Sequence, residues 1–152
     1  SGDYFLSNSK DQSIKVWDIR MGTAPTSAIP PPESFWDYRY GQEALRRSDR
    51  ELRSGKFCHK QDNSVNTYRG HSVYHTLIRA RFSPASTTGE KYIYTGSAHA
   101  PFGVYIYEVS SGKIVDKFVG HSGVVRDVAW NPNFPQIVST SWDGNLVQWD
   151  VQ

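Results

Sequence analysis

Two stretches near opposite ends of the chain repeat one pattern, and this repeat constrains the fold more than any other feature. Phe5–Asp18 and Ile137–Asp150 both contain a Ser-x-Ser step, and both place an Asp six residues before a final Trp-Asp pair. A degenerate copy runs over residues 93–108, with Tyr107 where the others have Trp. Such self-similarity indicates a repeat architecture, in which each copy is one supersecondary unit.

Two Gly-His pairs, Gly70-His71 and Gly120-His121, punctuate these copies. They lie 50 residues apart, slightly more than the period of about 40–45 residues in propeller blades. Extra residues at 87–91 and 98–102 explain the excess. Short apolar runs ended by Pro or Gly turns predict four short strands per unit. Asp143-Gly144 between two such runs predicts a tight hairpin.

The pattern therefore predicts an all-β chain made of propeller blades. We expect an incomplete blade from residues 1–20 and 64–69, a full blade over 70–119, and a last blade over 120–152 that lacks its outer strand. The pattern resembles the WD-repeat family, in which the outer strand of the last blade comes from the start of the propeller, and this resemblance implies that the chain is the C-terminal arc, two to three four-stranded blades, of a longer propeller.

Residues 21–63 interrupt the repeat as one long inserted loop. Residues 23–32 are Pro-rich and suit a stiff linker, and residues 42–53 favour a solvated helix because they combine helix formers with alternating charges. Residues 35–40 contain four aromatics. The insertion is either a tolerated surface loop or a partner-binding element, because exposed aromatics beside Arg are typical of interface hot spots. The same aromatics could also pin the loop to the propeller.

Composition argues against several function classes. The 17 Lys and Arg nearly balance the 15 Asp and Glu, for a formal charge of +2, so we expect no direct nucleic-acid binding. One cysteine, Cys58, excludes an intramolecular disulfide and suits a reducing compartment, so we expect an intracellular protein of the nucleus, the cytoplasm or both. No apolar run is long enough to span a membrane.

The Gly-His to Trp-Asp pattern resembles the WD-repeat family over most of the chain outside roughly residues 21–63. This resemblance implies that His121, Ser139, Asp143 and Trp149 form a structural hydrogen-bond network, although on paper they mimic a catalytic triad. The first repeat keeps Ser7, Asp11 and Trp17. The second keeps His71 and Thr95, has Tyr107 for Trp and lacks the Asp, so its network is expected to be incomplete.

No sequence signature of an enzyme accompanies these residues. The chain has no nucleophile elbow of the Gly-x-Ser-x-Gly type, no phosphate-binding loop, and no second Cys or His at metal-ligand spacing from Cys58-His59. We therefore expect no catalytic residues, no metal site and no cofactor.

The stretch that ends the first repeat, with Trp17, Asp18 and Arg20, resembles the box of WD-repeat substrate receptors in cullin-four RING ubiquitin ligases. Longer stretches resemble one subfamily, the DDB-and-cullin-associated factor eleven group, also called WD-repeat protein twenty-three, with plant LEC-type relatives. They are residues 4–20, 36–39, 67–71, 75–79, 81–84 and 141–146.

This resemblance implies a non-catalytic substrate receptor that docks on the damaged-DNA-binding adaptor protein of a cullin-four ligase and presents a protein substrate. It places adaptor binding at Trp17, Asp18 and Arg20. Trp36, Asp37 and Arg39 repeat the pattern inside the insertion and form a secondary candidate contact. The last repeat departs from the pattern, because Gln152 stands where Arg is expected.

Two rival functions stay open at this point. One is a generic WD-repeat scaffold in another complex, in RNA processing or chromatin. The other is a propeller enzyme, although the set of carboxylates or metal ligands that such enzymes bring to the central channel is not evident.

Overall fold

The computed structural model describes residues 2–9, 11–21, 62–74 and 76–151. Most of the insertion lies outside these residues. The helix predicted at 42–53, the aromatic cluster at 35–40 and the secondary candidate contact at Trp36, Asp37 and Arg39 therefore stay predictions.

The described chain consists mainly of ten strands in three antiparallel sheets. The first sheet contains β1 (Tyr4–Ser9), β2 (Ser13–Asp18) and β3 (Asn66–Arg69). The second contains β4 (Ala80–Phe82), β5 (Tyr92–Gly96), β6 (Gly103–Glu108) and β7 (Ile114–Val119), and the third contains β8 (Val125–Trp130), β9 (Gln136–Ser141) and β10 (Leu146–Asp150). A 3-10 turn (Ile19–Met21) follows β2, and the four-residue helix α1 (Ala85–Thr88) follows β4. This architecture confirms the prediction of an all-β chain made of partial propeller blades.

The strands pair in chain order within each sheet, so each strand lies beside its neighbour in sequence, although the insertion separates β2 from β3 along the chain. In the first sheet Phe5 lies opposite Trp17, and in the third Ile137 lies opposite Trp149. The two copies of the repeat thus form hairpins of the same register. In the middle sheet Ile93 lies opposite Tyr107, so the Tyr takes the position of the Trp.

The apolar run before Pro84 forms less strand than its pattern suggests, since β4 begins only at Ala80. The preceding residues form a loop in which Val73 and Ile78 are buried, and the backbone N–H of Thr76 donates to the carbonyl of Val73. Val73 and Ile78 therefore anchor a loop rather than occupy strand positions, whereas Leu77 is exposed.

Two clusters of buried residues lie at the two junctions between sheets. One cluster joins the first two sheets through residues such as Ile14, Tyr68 and Tyr107. The other joins the second and third sheets through residues such as Tyr94, Val125 and Trp130. Each sheet thus buries its apolar face against a neighbouring sheet, as stacked repeats require.

Candidate functional site

His121 lies at the centre of a buried hydrogen-bond chain in the third sheet. Its Nδ1 is 3.1 Å from Asp143 Oδ2, and its Nε2 is 2.8 Å from Ser139 Oγ. The indole N–H of Trp149 donates to the same Ser139 Oγ at 2.8 Å. When His121 Nδ1–H donates to Asp143, His121 Nε2 accepts the hydrogen bond from the Ser139 hydroxyl. Each polar group of this network therefore has a hydrogen-bond partner.

This arrangement resembles a catalytic triad in composition but not in exposure. Ser139 is 0% exposed, and its oxygen is held between the imidazole of His121 and the indole of Trp149. A nucleophile needs a free path to a substrate, which this hydroxyl lacks. The geometry therefore favours a structural role for the four residues.

Asp143 also fixes the turn between β9 and β10. Burial alone would raise its pKa, but hydrogen bonds from the backbone N–H groups of Asn145 and Ser122, together with His121, lower the pKa well below its usual range. Gly144 completes this turn with a φ of 83°, a conformation that glycine adopts without strain. The Asp-Gly pair thus joins the hairpin to the network.

Replacing His121 by alanine is expected to lower the free energy of unfolding by about 3 kcal/mol, because the buried Ser139 hydroxyl loses its acceptor, Asp143 loses one of its donors and the buried imidazole leaves a cavity. The measurement is urea denaturation of wild type and variant. Ser122→Ala is the control, since its exposed side chain makes one contact of 3.5 Å with Asp143. Equal midpoints for His121→Ala and wild type would refute the network's structural role.

The first repeat forms the Trp–Ser hydrogen bond that corresponds to Trp149–Ser139, but no described histidine takes part in it. Trp17 donates its indole N–H to Ser7 Oγ at 2.8 Å and stacks on Phe5. Asp11 Oδ1 accepts hydrogen bonds from the backbone N–H and the hydroxyl of Ser13. Trp17 is therefore held within the first sheet, and Asp11 closes the turn between β1 and β2.

The middle repeat uses a different network, which its sequence pattern did not reveal. His71 Nδ1 is 3.0 Å from Tyr107 Oη, and His71 Nε2 is 3.0 Å from Asn8 Oδ1 of the first sheet. The Asn8 amide also donates to the carbonyl of Ile78 and contacts Thr95 Oγ1. The missing Trp and Asp are thus replaced by a Tyr and by an Asn from the neighbouring sheet.

His71 gives the protein a predicted pH dependence. Burial lowers the pKa of His71 from 6.5 to about 4. The unfolded chain therefore binds more protons than the folded chain between these values, so stability is full above pH 6.5 and falls as the pH decreases towards 4. Lowering the pH from 7 to 5 is expected to cost about 2 kcal/mol.

The measurement is the urea midpoint of wild type and of His71→Gln at both pH values. The variant should lose distinctly less stability than wild type over this interval. His99→Gln serves as the control because His99 is exposed, and it should behave as wild type. The same loss of stability in His71→Gln as in wild type would contradict the assignment.

Arg20 stands on the 3-10 turn that follows β2, and Asp18 holds it from two residues away. Its Nε and Nη2 donate to the two carboxylate oxygens of Asp18 at 2.9 and 2.8 Å, and its backbone N–H donates to Oδ1 at 2.9 Å. Nη2 also donates to Tyr4 Oη at 3.3 Å, and the guanidinium carbon lies 5.7 Å from the Tyr4 ring centroid. These contacts fix the guanidinium in one orientation.

The opposite charges of Asp18 and Arg20 stabilise each other. The side-chain hydrogen bonds from Arg20, and then its backbone N–H, lower the pKa of Asp18, while Asp18 raises the pKa of Arg20. The Arg20 side chain is 62% exposed, whereas that of Asp18 is 10% exposed. Asp18 therefore orients the Arg20 side chain from a mostly buried position, and the Arg20 guanidinium faces the solvent.

The surroundings of Arg20 are exposed and partly apolar. Tyr4, which contacts Arg20, and the sequence neighbours Ile19 and Met21 are exposed large hydrophobic residues, and the nearby Asp3 helps to raise the pKa of Arg20. The Nη1 group of Arg20 makes no hydrogen bond to the described residues, which leaves two N–H donors for a partner. An exposed arginine beside an exposed tyrosine has the composition of an interface hot spot.

Acidic, histidine and cysteine side chains of the described residues form no candidate metal site. No group of three or more His, Cys, Asp or Glu side chains among them is placed to hold a metal ion. No helix in the part of the chain that the structure describes has the length and apolar character to cross a membrane.

A protein-family model for the WD domain, G-beta repeat, matches residues 1–18 and 112–150. The matched residues contain the two copies with Trp17 and Trp149. The middle copy, residues 93–108, lies outside them.

Curated relatives match almost the whole chain. The LEC14B protein of Lithospermum erythrorhizon is 48% identical over 99% of this chain, and the LEC14B homolog of Prunus armeniaca is 42% identical over 98%. The DDB1- and CUL4-associated factor 11 homolog of Caenorhabditis elegans is 44% identical over 96%. The chain spans between 24% and 30% of the length of these relatives.

Proposed function

Since this chain is built from WD repeats and is similar to the LEC14B and DDB1- and CUL4-associated factor 11 proteins, we propose that it belongs to a substrate receptor of a CUL4 ubiquitin ligase. The receptor docks on the adaptor DDB1 and binds a protein target. The observation that carries the proposal is the exposed guanidinium of Arg20, which Asp18 holds beside the exposed side chain of Tyr4.

Trp17, Asp18 and Arg20 have different roles in the proposed docking site. Trp17 ties the end of β2 to β1 through Ser7, and Asp18 orients the guanidinium. Arg20 then makes the contact, because its two remaining donors can bind a carboxylate or backbone carbonyls of the adaptor. The orientation is set before binding, so little side-chain freedom is lost on docking.

The receptor carries out no chemical step itself. It holds a target close to the ubiquitin-loaded enzyme and so raises the effective concentration of the target's lysines. The buried state of Ser139 and His121 fits this division of labour. Such a receptor works in the nucleus, the cytoplasm or both.

The test is affinity purification of the full-length protein from cells, with DDB1 and CUL4 quantified in the recovered material. The proposal predicts that both co-purify. Absence of both from a folded, soluble preparation would favour the rival function, a WD-repeat scaffold of another complex in RNA processing or chromatin.

A second candidate contact lies in the insertion, at Trp36, Asp37 and Arg39, where the four-residue pattern recurs. Its aromatic residues and arginine have hot-spot composition. A triple alanine variant at these positions should weaken adaptor binding further in an Arg20→Ala background if the insertion touches the adaptor.

A further inference from the structure

A mainly apolar pocket of about 460 Å³ lies between the first and second sheets, and Tyr4, which contacts Arg20, forms part of its lining. Val16 and Tyr68 also line the pocket and are buried. Val65 lines it as well, but its side chain is exposed. The pocket therefore extends from the proposed docking site at Arg20 into the junction with the second sheet.

Polar groups in the lining are already used to join the two sheets. The hydroxyl of Tyr68 donates to the backbone carbonyl of Val109 at 2.8 Å, and the amide of Asn66 donates to the same carbonyl at 3.2 Å. Glu90 carries the acidic side chain among the described lining residues. A pocket of this composition suits an apolar side chain, and its volume has room for leucine or phenylalanine.

The second sheet carries a cation beside a tyrosine next to this pocket. Lys91 Nζ lies 5.5 Å from the ring centroid of Tyr92 and 3.8 Å from Glu108 Oε1. Lys91 directly follows Glu90, which lines the pocket. The Lys91 side chain is 58% exposed, so its ammonium group can be reached by a partner.

This arrangement repeats that of Arg20 one sheet further along. In the first sheet, Tyr4 lies opposite Asp18, which holds Arg20. In the second sheet, Tyr92 lies opposite Glu108. In both sheets a tyrosine and a carboxylate at paired positions contact one exposed cation. The repeat pattern does not reveal the second case, because this cation precedes its strand instead of following a Trp-Asp pair.

We infer that the docking surface for DDB1 extends from Arg20 across this pocket to Lys91, and that an apolar side chain of DDB1 occupies the pocket; this inference rests on the proposed function. Continuity selects DDB1 as the occupant, since Tyr4 belongs both to the lining and to the Arg20 contact. Packed sheets lie about 10 Å apart, so one partner surface can reach both cations. An anchor side chain buried between polar contacts is typical of interface hot spots.

The experiment measures the dissociation constant of purified DDB1 with the full-length wild-type protein, Val65→Asp and Lys91→Gln. Val65→Asp adds a carboxylate to the lining at an exposed position, so the fold is kept. We expect this variant to raise the dissociation constant about tenfold, because an apolar side chain in the pocket would desolvate the new charge. Lys91→Gln removes one contact at the edge of the surface and is expected to raise it about threefold.

Val119→Asp and Lys117→Gln are the matched controls. Val119 is an exposed valine at the end of β7. Lys117 Nζ lies 4.5 Å from the ring centroid of Tyr105, so it too is a lysine beside a tyrosine. Neither control residue belongs to the described lining of the pocket, and both variants should bind DDB1 as wild type does. Unchanged affinity in Val65→Asp or in Lys91→Gln, or an equal loss in a variant and its control, would overturn the inference.

The same measurements separate this inference from the proposed function. If wild type binds DDB1 and both pocket variants bind it equally well, the extended surface is refuted and the receptor proposal stands. A wild-type protein that does not bind DDB1 refutes both. A lower urea midpoint of Val65→Asp with unchanged DDB1 affinity would show that a segment of the same protein covers the pocket, and loss of a homodimer would show that a second copy does. Either result contradicts DDB1 as the occupant.

Discussion

Replacing Gly96 by alanine is expected to lower the free energy of unfolding by about 3 kcal/mol, because the added methyl group collides with backbone that cannot move aside. Gly96 ends β5, and a Cβ at this position would overlap the carbonyl oxygen of Val125 at the start of β8. The backbone N–H of Val125 donates to the carbonyl of Ser97 at 3.1 Å, which fixes this close approach.

The collision lies between two sheets rather than within one. Gly96 belongs to the second sheet and Val125 to the third, and Val125 is part of the buried cluster between them. Relief of the overlap requires the sheets to separate, which would expose apolar residues such as Tyr94 and Trp130. The variant therefore tests directly whether the repeats stack as the structure describes.

The measurement is the urea midpoint of the full-length protein. Gly2→Ala is the control, because a Cβ there has no neighbour within 4 Å. That variant should unfold as wild type does, within a few tenths of a kcal/mol. A Gly96→Ala variant as stable as wild type would show that the second and third sheets do not approach each other at this point.

The network around His121 could be predicted from the sequence because all of its members lie within one repeat. The spacing between Asp143 and Trp149 is set by the hairpin, so a match to the repeat also fixes which groups meet. The tight turn at Gly144 follows from the Asp-Gly pair for the same reason.

The contacts between sheets could not be predicted in this way. Asn8 and His71 are 63 residues apart, and Gln12 and Val73 are 61 residues apart. Asn8 occupies the variable position of the Ser-x-Ser step, where the repeat carries no information. Gln12 adopts a φ of 61°, uncommon for a residue other than glycine, and its Oε1 accepts hydrogen bonds from Val73 and Tyr74. These pairings depend on how the repeats stack, which the pattern within one repeat does not encode.

The site around Arg20 combines one feature that the sequence could predict with contacts that it could not. The resemblance of the box indicated Arg20 as the contact, and the structure adds the reason for its orientation. The bidentate contact with Asp18 arises because the chain turns into a 3-10 helix directly after β2. The contact with Tyr4 depends on the pairing of β1 with β2, in which Tyr4 lies opposite Asp18.

Replacing Arg20 by alanine is expected to weaken binding of the full-length protein to DDB1 at least about tenfold, since exposed arginines beside aromatic side chains are typical hot spots. The change removes the guanidinium that points to solvent and leaves the sheet intact, because Trp17 still bonds to Ser7. Arg20→Lys should recover only part of the affinity, since lysine keeps the charge but lacks the planar fork.

Arg79→Ala is the matched control. Arg79 is an exposed arginine on the loop before β4, so its replacement changes the net charge equally. Its affinity for DDB1 should equal that of wild type. A similar loss in both variants would indicate a general electrostatic effect instead of a specific contact at Arg20.

The most direct test of the proposed docking site is the dissociation constant of purified DDB1 with the wild-type protein, Arg20→Ala and Arg79→Ala, measured at one ionic strength. We predict tight binding for wild type and Arg79→Ala and a dissociation constant at least about tenfold higher for Arg20→Ala. Equal dissociation constants for all three proteins would contradict the assignment of Arg20 as the adaptor contact.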